Sequence, residues 1–96
     1  MKKLELGPYL KACRQKNDLS QGDVAYHLRL KSAQSISDWE RGYGSAIPIK
    51  ALKKLISLYK MDEDVVFEKF LEFKVAKLEE KLRSLFYGRQ TKKPRR

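Results

Sequence analysis

Hydrophobic positions recur along the chain with the period of an α-helix. Leu6, Leu10 and Cys13 lie three or four residues apart and predict a first helix over 6–17. Pro8 falls in the first turn of this segment, where proline removes no helical hydrogen bond. The chain therefore begins with a helix of about three turns.

Two short helices follow, and each has a candidate capping residue. Ser20 can cap a second helix over 21–28, because serine side chains accept hydrogen bonds from the first free backbone N–H groups. Ser32 can cap a third helix over 33–41, and Gly42 follows where a left-handed C-terminal cap is usual. The pattern thus predicts two helices joined by a tight turn.

The second half of the chain predicts two longer helices. Pro48 at a first helical position opens a fourth helix, which ends at Tyr59 or Lys60. The acidic run 62–64 then favours the start of a fifth helix, which continues to Phe86 or Tyr87 before Gly88. The expected fold is all-α, a five-helix domain with an extended C-terminal helix.

The net charge of the chain indicates what kind of molecule it binds. The 96 residues carry 22 Lys and Arg against 12 Asp and Glu, for a formal net charge of +10. The net charge is +7 in 1–61, −2 in 62–87 and +5 in the tail 88–96. Such a basic excess attracts polyanions, including DNA, RNA and anionic membranes. We divide the chain into a DNA-binding domain (1–61), a long amphipathic helix for core packing and dimerisation (62–87), and a disordered basic tail (88–96).

Several classes of protein are disfavoured. No stretch approaches the roughly 18 apolar residues of a membrane span, and the N-terminus lacks the pattern of a signal peptide. The only cysteine, Cys13, cannot form an internal disulfide, which fits a reducing cytosol. One histidine and one cysteine are too few for a zinc site or a Cys/His nucleophile pair. We therefore expect no enzyme activity, no metal and no other cofactor.

The segment from 19 to 42 carries a recognisable motif. It reads Leu19-Ser20-Gln21, then Val24-Ala25 and Leu28, then Ile36-Ser37-Asp38-Trp39-Glu40-Arg41-Gly42. Two short helices joined by a tight turn have the layout of a helix-turn-helix. Over about residues 6–60 the chain resembles the phage-repressor (Cro/C1, XRE-type) helix-turn-helix family. The resemblance implies binding of operator DNA, usually by two-fold dimers.

The chain departs from that family at the turn. Arg29 stands where the family most often has glycine, so a turn without the left-handed glycine conformation is an alternative. One additional residue also separates Leu28 from Ile36. A longer-turn version of the family, usually with Ser-Pro-Gln where this chain has Ser32-Ala33-Gln34, accommodates it.

Helical spacing assigns the two sides of the third helix. Ile36 and Trp39 point inward, and the polar residues share the opposite face. In a helix-turn-helix this outer face enters the major groove. Its candidate base-contacting residues are Ala33, Gln34, Ser37 and Asp38.

Each base contact has a chemical rationale. Gln34 can pair bidentately with adenine, and Ala33 can touch a thymine methyl group. Asp38 can accept from cytosine N4, and its charge repels phosphates of poorly aligned DNA.

Other residues are assigned to the DNA backbone or to support of the helix. Gln21 resembles the family's phosphate-anchoring glutamine. The further phosphate candidates are Lys31, Ser32, Arg41 and Tyr43. The resemblance also implies that Glu40 forms a buried pair with Arg14, and we place Trp39 in the core.

The fifth helix contains a short heptad repeat. Leu71, Val75, Leu78, Leu82 and Leu85 are spaced by alternating four and three residues. With valine and leucine at a and leucine at d, the pattern favours a parallel two-stranded dimer. Lys74 and Glu79 would pair across it. The alternative is that these residues pack back onto the domain's own helices.

Together these features predict sequence-specific binding of double-stranded DNA by a homodimeric transcriptional regulator. It would be cytoplasmic, and nucleoid-associated when bound. The alternative is a helix-turn-helix protein-interaction module, such as an antitoxin or adaptor, whose C-terminal helix docks on a partner. The basic tail is either a DNA-contacting arm or a solubilising end. RNA binding is disfavoured because exposed aromatic residues for stacking are lacking.

Overall fold

The computed structural model describes residues 4–42 and 47–88, and its regular elements are all α-helices. They are α1 (Leu6–Lys16), α2 (Gln21–His27), α3 (Gln34–Arg41), α4 (Ile49–Tyr59) and α5 (Glu63–Tyr87). The predicted all-α fold is confirmed for these residues. Tyr43 and residues 89–96 of the predicted tail 88–96 lie outside the described residues.

Local hydrogen bonds explain where α2 and α5 begin. The Ser20 hydroxyl accepts from the backbone N–H of Asp23 at 3.0 Å, and the Asp23 carboxylate accepts from Ser20 N at 2.9 Å. This reciprocal capping box confirms Ser20 as the cap. Ser20 holds the pKa of Asp23 below its usual value by these hydrogen bonds. The Asp62 side chain similarly accepts from the first backbone N–H groups of α5.

Two predicted helix starts are shifted by one residue. Pro48 has extended backbone angles and lies just before α4, which begins at Ile49. Its carbonyl accepts from Leu52 N at 2.9 Å, so proline serves as the cap and not as the first helical residue. Ala33, not Ser32, is the capping residue of α3. The Ser32 hydroxyl nevertheless accepts from Gln34 N at 3.2 Å.

Three helices end with a non-glycine residue in the left-handed conformation. Asp18, Arg29 and Lys60 have φ angles of 57°, 59° and 55°. After α2, Arg29 N donates to Tyr26 O and Leu30 N to Ala25 O, which is the Schellman pattern. The alternative of a turn without the left-handed conformation at Arg29 is therefore wrong. Leu30, the following residue, packs against the core and holds the turn in place.

The core lies where all five helices meet. Its most deeply buried side chains are Leu10, Val24, Ile36, Leu55 and Val66. Helix α1 contacts both α3 and α5, and α2 contacts α3. Helix α1 therefore lies between the helix-turn-helix and the start of α5.

Helix α1 approaches α3 unusually closely at Gly7. A Cβ atom there would lie 2.5 Å from the backbone oxygen of Glu40, a contact too short to be tolerated without movement. Glycine at this position thus allows the two backbones to meet. Among the described residues, no helix is both long and apolar enough to cross a membrane.

Candidate nucleic-acid interface

Helix α3 is held against the core by its inner face. Ile36 is buried, and Trp39 is half-buried and packs on the core, as the helical spacing predicts. Gln34 and Arg41 are exposed, while Ser37 and Asp38 are half-buried. The fold thus leaves a polar strip on the outer side of α3, formed by Gln34, Ser37, Asp38 and Arg41. The inner side of the helix is anchored to the core.

The polar strip is organised by hydrogen bonds one helical turn apart. The Gln34 amide nitrogen Nε2 donates to Asp38 Oδ1 at 2.9 Å. The Arg41 guanidinium donates to the Ser37 hydroxyl at 3.0 Å. Both pairs obey the i, i+4 spacing at which side chains meet on a helix. One pair joins two candidate base-contacting residues, and the other joins a candidate base contact to the phosphate candidate Arg41.

Ala33 differs from the other residues assigned to base contact. It precedes the first turn of α3 and is half-buried, with its side chain packed against the core. Its methyl group is less accessible than the helical spacing suggested, because the α2–α3 turn folds it inward.

A buried ion pair supports α3 from behind. Arg14 Nε donates to Glu40 Oε2 at 2.7 Å, and Arg14 Nη2 donates to Glu40 Oε1 at 3.2 Å. Both side chains are at least nine-tenths buried. The hydrogen bond to Glu40 raises the pKa of Arg14 above its ordinary value. The pair implied by the resemblance is thus present as a bidentate contact, the strongest geometry for these groups.

The same cluster reaches the start of α2. Arg14 Nη1 donates to the backbone oxygen of Leu19 at 2.8 Å. The Gln21 amide nitrogen Nε2 donates to Glu40 Oε1 at 3.0 Å. Helices α1, α2 and α3 are therefore joined by one carboxylate and one guanidinium.

This arrangement modifies the role assigned to Gln21. Its side chain is half-buried and one of its two amide hydrogens is taken by Glu40. One amide hydrogen remains for a phosphate oxygen. The Asp23 backbone N–H at this end of α2 is already satisfied by Ser20.

The other phosphate candidates lie around this surface. Lys31 and Ser32 are exposed on the α2–α3 turn, and Arg41 is exposed at the end of α3. These residues flank the polar strip at both ends of α3. Tyr43 lies outside the described residues.

The contacts that Asn17 and Tyr59 make near the Arg14–Glu40 pair were not predicted from the sequence. Asn17 Nδ2 donates to Cys13 O at 2.8 Å and to Tyr59 O at 3.0 Å, which ties α1 to α4. The buried Tyr59 hydroxyl has no hydrogen-bond partner among the described residues. Burial, and secondly the nearby Glu40 carboxylate, raise the pKa of Tyr59. Only the packing of α4 on α1 brings these groups together, so no local sequence signal reveals them.

Comparison with known proteins agrees with this geometry. A protein-family model described as "Helix-turn-helix domain" matches residues 5–67, which is more than half of the chain. The chain belongs to the helix-turn-helix domain family. No curated protein and no solved structure matches it. Helix-turn-helix domains of this kind are found in DNA-binding regulators, so DNA is the partner that the family supports.

The matched region ends inside α5, where the packing of that helix also changes. Val66 and Phe70 are core residues, whereas the predicted seam beyond them is exposed. The exposed fractions of the five seam residues lie between 48% and 68%: Leu71, Val75, Leu78, Leu82 and Leu85. The alternative that they pack onto the domain's own helices is therefore wrong for the described chain.

Proposed function

We propose that this helix-turn-helix protein is a transcriptional regulator that binds specific double-stranded DNA sites as a homodimer. The observation that carries the proposal is the polar strip of α3, anchored from behind and flanked by basic residues. The wider resemblance to Cro/C1 and XRE-type repressors supports the same reading. We assign it no catalytic step and no cofactor, and we place it in the cytoplasm, at the nucleoid when bound.

In the proposed complex, α3 lies in the major groove with its first turn deepest. Gln34 and Ser37 contact base edges, while Gln21, Lys31, Ser32 and Arg41 contact phosphates. Phosphate contacts position a protein without reading sequence, so specificity comes from α3. The exposure of Lys31 and Ser32 on the turn before α3, and of Arg41 at its end, supports this division of roles.

The seam of α5 supports the dimer. Completing the burial of five half-exposed side chains on each of two copies releases about 7–15 kcal/mol, taking roughly half of the ~1.5–3 kcal/mol per side chain. Association costs about 4–15 kcal/mol in lost freedom. The two ranges overlap, so we expect a dimer whose population depends on protein concentration and increases on DNA.

The charges beside the seam already have partners within the chain. Lys74 Nζ lies 5.5 Å from the centre of the Phe70 ring, and Arg83 donates to Glu79 at 3.2 Å. A Lys74–Glu79 pair between parallel helices would have to replace these contacts. Parallel orientation is therefore supported by the valine and leucine pattern more than by the charges.

Fluorescence anisotropy with duplexes selected from a random pool tests the proposal. If a dimer contacts 6–10 phosphates, affinity falls about 10³–10⁵-fold between 50 and 200 mM salt. A scrambled duplex must bind more weakly at every salt concentration. Equal affinity for selected and scrambled duplexes would overturn sequence-specific binding.

Two variants separate base contacts from phosphate contacts. Gln34→Ala should weaken binding to the selected site by about 1–3 kcal/mol and relax preference at one base pair. Gln21→Ala should weaken binding to all sequences by a similar factor. Identical profiles for the two variants would contradict the placement of α3 in the groove.

The second candidate function is docking of another protein by α5. It is favoured by the exposed aromatic residues at the end of this helix, since Phe86 is 81% and Tyr87 is 66% exposed. The expectation that the chain lacks exposed aromatic residues is therefore wrong. An antitoxin or adaptor would use this surface for its partner. A chain that stays monomeric on its own and binds no DNA would support this candidate over the first.

A further inference from the structure

The hydrogen bond between Gln34 and Asp38 has a consequence for base recognition. A glutamine amide presents one acceptor oxygen and two donor hydrogens on nitrogen. One hydrogen lies on the same edge as the oxygen, and the other points away from it. Bidentate pairing with adenine uses the oxygen and the hydrogen on the shared edge.

Asp38 accepts a hydrogen bond from the Gln34 amide nitrogen. Gln34 Nε2 lies 2.9 Å from Asp38 Oδ1, and an ionised carboxylate can only accept. If the amide rotated by half a turn, its oxygen would face the carboxylate and be repelled. Asp38 therefore selects one of two amide orientations. When the hydrogen that points away from the oxygen is the one donated to Asp38, the adenine-reading edge stays free.

We propose that Asp38 is a positioning residue that orients Gln34 for adenine and contacts no base itself. This inference rests on the proposed function. It differs from the expectation that Asp38 accepts from cytosine N4, because Asp38 Oδ1 already accepts from Gln34. Asp38 is also less exposed than Gln34.

The orientation matters because an unrestrained amide reads more than one base. Rotated, the same side chain places its N–H donor where adenine has a donor, and it can then donate to the O6 acceptor of guanine. Fixing the amide thus adds discrimination between A·T and G·C at the pair that Gln34 reads. Asp38 acts on specificity at that pair and not at a second one.

The test measures binding of the full chain and of Asp38→Asn, Asp38→Glu and Gln34→Ala to every single-base variant of the selected site. Asp38→Asn keeps the shape but offers Gln34 either a donor or an acceptor, so both amide orientations are allowed. We expect discrimination to fall at least about 5-fold at one base pair, the pair that Gln34→Ala also relaxes. Asp38→Glu keeps the carboxylate one turn from Gln34 and should retain most of the discrimination.

The double variant Gln34→Ala/Asp38→Asn adds a readout that a purely structural role would not move. It should discriminate no worse than Gln34→Ala alone, because Asp38 acts through Gln34. Replacing the contacted adenine by 7-deazaadenine should weaken binding of the parent chain more than that of Asp38→Asn, and should leave binding of Gln34→Ala unchanged.

Two other results would overturn the inference in distinguishable ways. If Asp38→Asn instead lost preference at a different, cytosine-containing base pair, Asp38 would itself contact a base. Unchanged discrimination in Asp38→Asn would show that the contact does not orient Gln34. A parent chain that discriminates at no pair would instead refute the proposed function, and this inference with it.

Discussion

Helix α5 has two apolar faces with different surroundings. Val66, Phe70 and Phe73 lie on one face, and the first two are buried in the domain core. The seam that begins at Leu71 lies about 135° round the helix, at 100° per residue, and is exposed along its whole length. Both faces are rich in apolar residues, so hydrophobicity alone does not distinguish them.

The difference teaches that one helix can serve two interfaces. Its first two turns complete the helix-turn-helix domain, and the rest extends beyond it. A contiguous exposed apolar stripe is uncommon on monomeric proteins and indicates an interaction surface. Mutations on the two faces should therefore affect different equilibria, folding on one and association on the other.

Losing a buried ion pair should lower the free energy of unfolding far more than losing an exposed one, and we expect this to be the largest such difference. Glu40→Ala leaves the buried Arg14 guanidinium without its carboxylate and should destabilise the domain by up to about 3–5 kcal/mol. Glu79→Ala removes the partner of Arg83 on exposed α5 and should cost only about 0.3–0.5 kcal/mol. Urea unfolding of both variants provides the comparison.

A double-mutant cycle sharpens this prediction. Removing Arg14 and Glu40 together should cost less than the sum of the single losses, because neither charge is then left unpaired. Simple additivity would mean that the pair does not couple in solution.

A matched pair of phenylalanines tests the two faces of α5 directly. Phe70 is 9% exposed and Phe67, one turn away, is 58% exposed. Phe70→Ala should lower the free energy of unfolding by about 3–5 kcal/mol, since it leaves a cavity in the core. Phe67→Ala should change it by less than about 0.5 kcal/mol. Equal losses in thermal or urea unfolding would contradict the assignment of faces.

The close contact between the α1 and α3 backbones predicts a loss of unfolding free energy of intermediate size when Gly7 is replaced. Gly7→Ala forces a methyl group toward the Glu40 backbone and should destabilise the domain by about 1–3 kcal/mol. Gly22 on α2 is the control, because a Cβ there meets only the Ser20 side chain at 3.7 Å. Gly22→Ala should be neutral or slightly stabilising. A Gly7→Ala chain as stable as the parent would show that the helices separate without cost.

The smallest effect on folding is expected on the seam itself. Leu78→Asp should change the unfolding free energy of the dilute domain by less than about 0.5 kcal/mol, because Leu78 is 54% exposed. It should abolish association, since a charge cannot be buried unpaired in an apolar interface. Sedimentation equilibrium at tens of micromolar measures this.

Lys77→Gln is the control for Leu78→Asp, because it makes the same change in net charge away from the seam. It should dimerise like the parent. A monomeric parent, or a Leu78→Asp chain that still dimerises, would show that the seam does not form a dimer interface.

Much of the architecture follows from local signals in the sequence. The spacing of apolar residues predicts all five helices, and their observed ends lie within one or two residues of the prediction. Ser20, Gly42 and Gly88 mark helix ends because capping depends on a few neighbouring residues. The polar face of α3 is likewise a matter of helical period. The match to the helix-turn-helix family covers the same region.

The conformation of the turn after α2 could not be predicted from neighbouring residues alone. A left-handed arginine at Arg29 is unfavourable in isolation, by about 1–2 kcal/mol. It is held by the Schellman hydrogen bonds and by burial of Leu30, which depend on the rest of the domain. Gly7 is similar, because only the crossing of α1 and α3 requires a residue without a side chain there.

The sequence by itself therefore determined the helices, the motif and the basic character of this protein, because each depends on residues close together in the chain. Tertiary structure decided which groups meet across it. It linked Gln21 to the Arg14–Glu40 pair and left the α5 seam uncovered. Those features depend on how helices pack and which rotamers that packing allows, and periodicity carries no information about either.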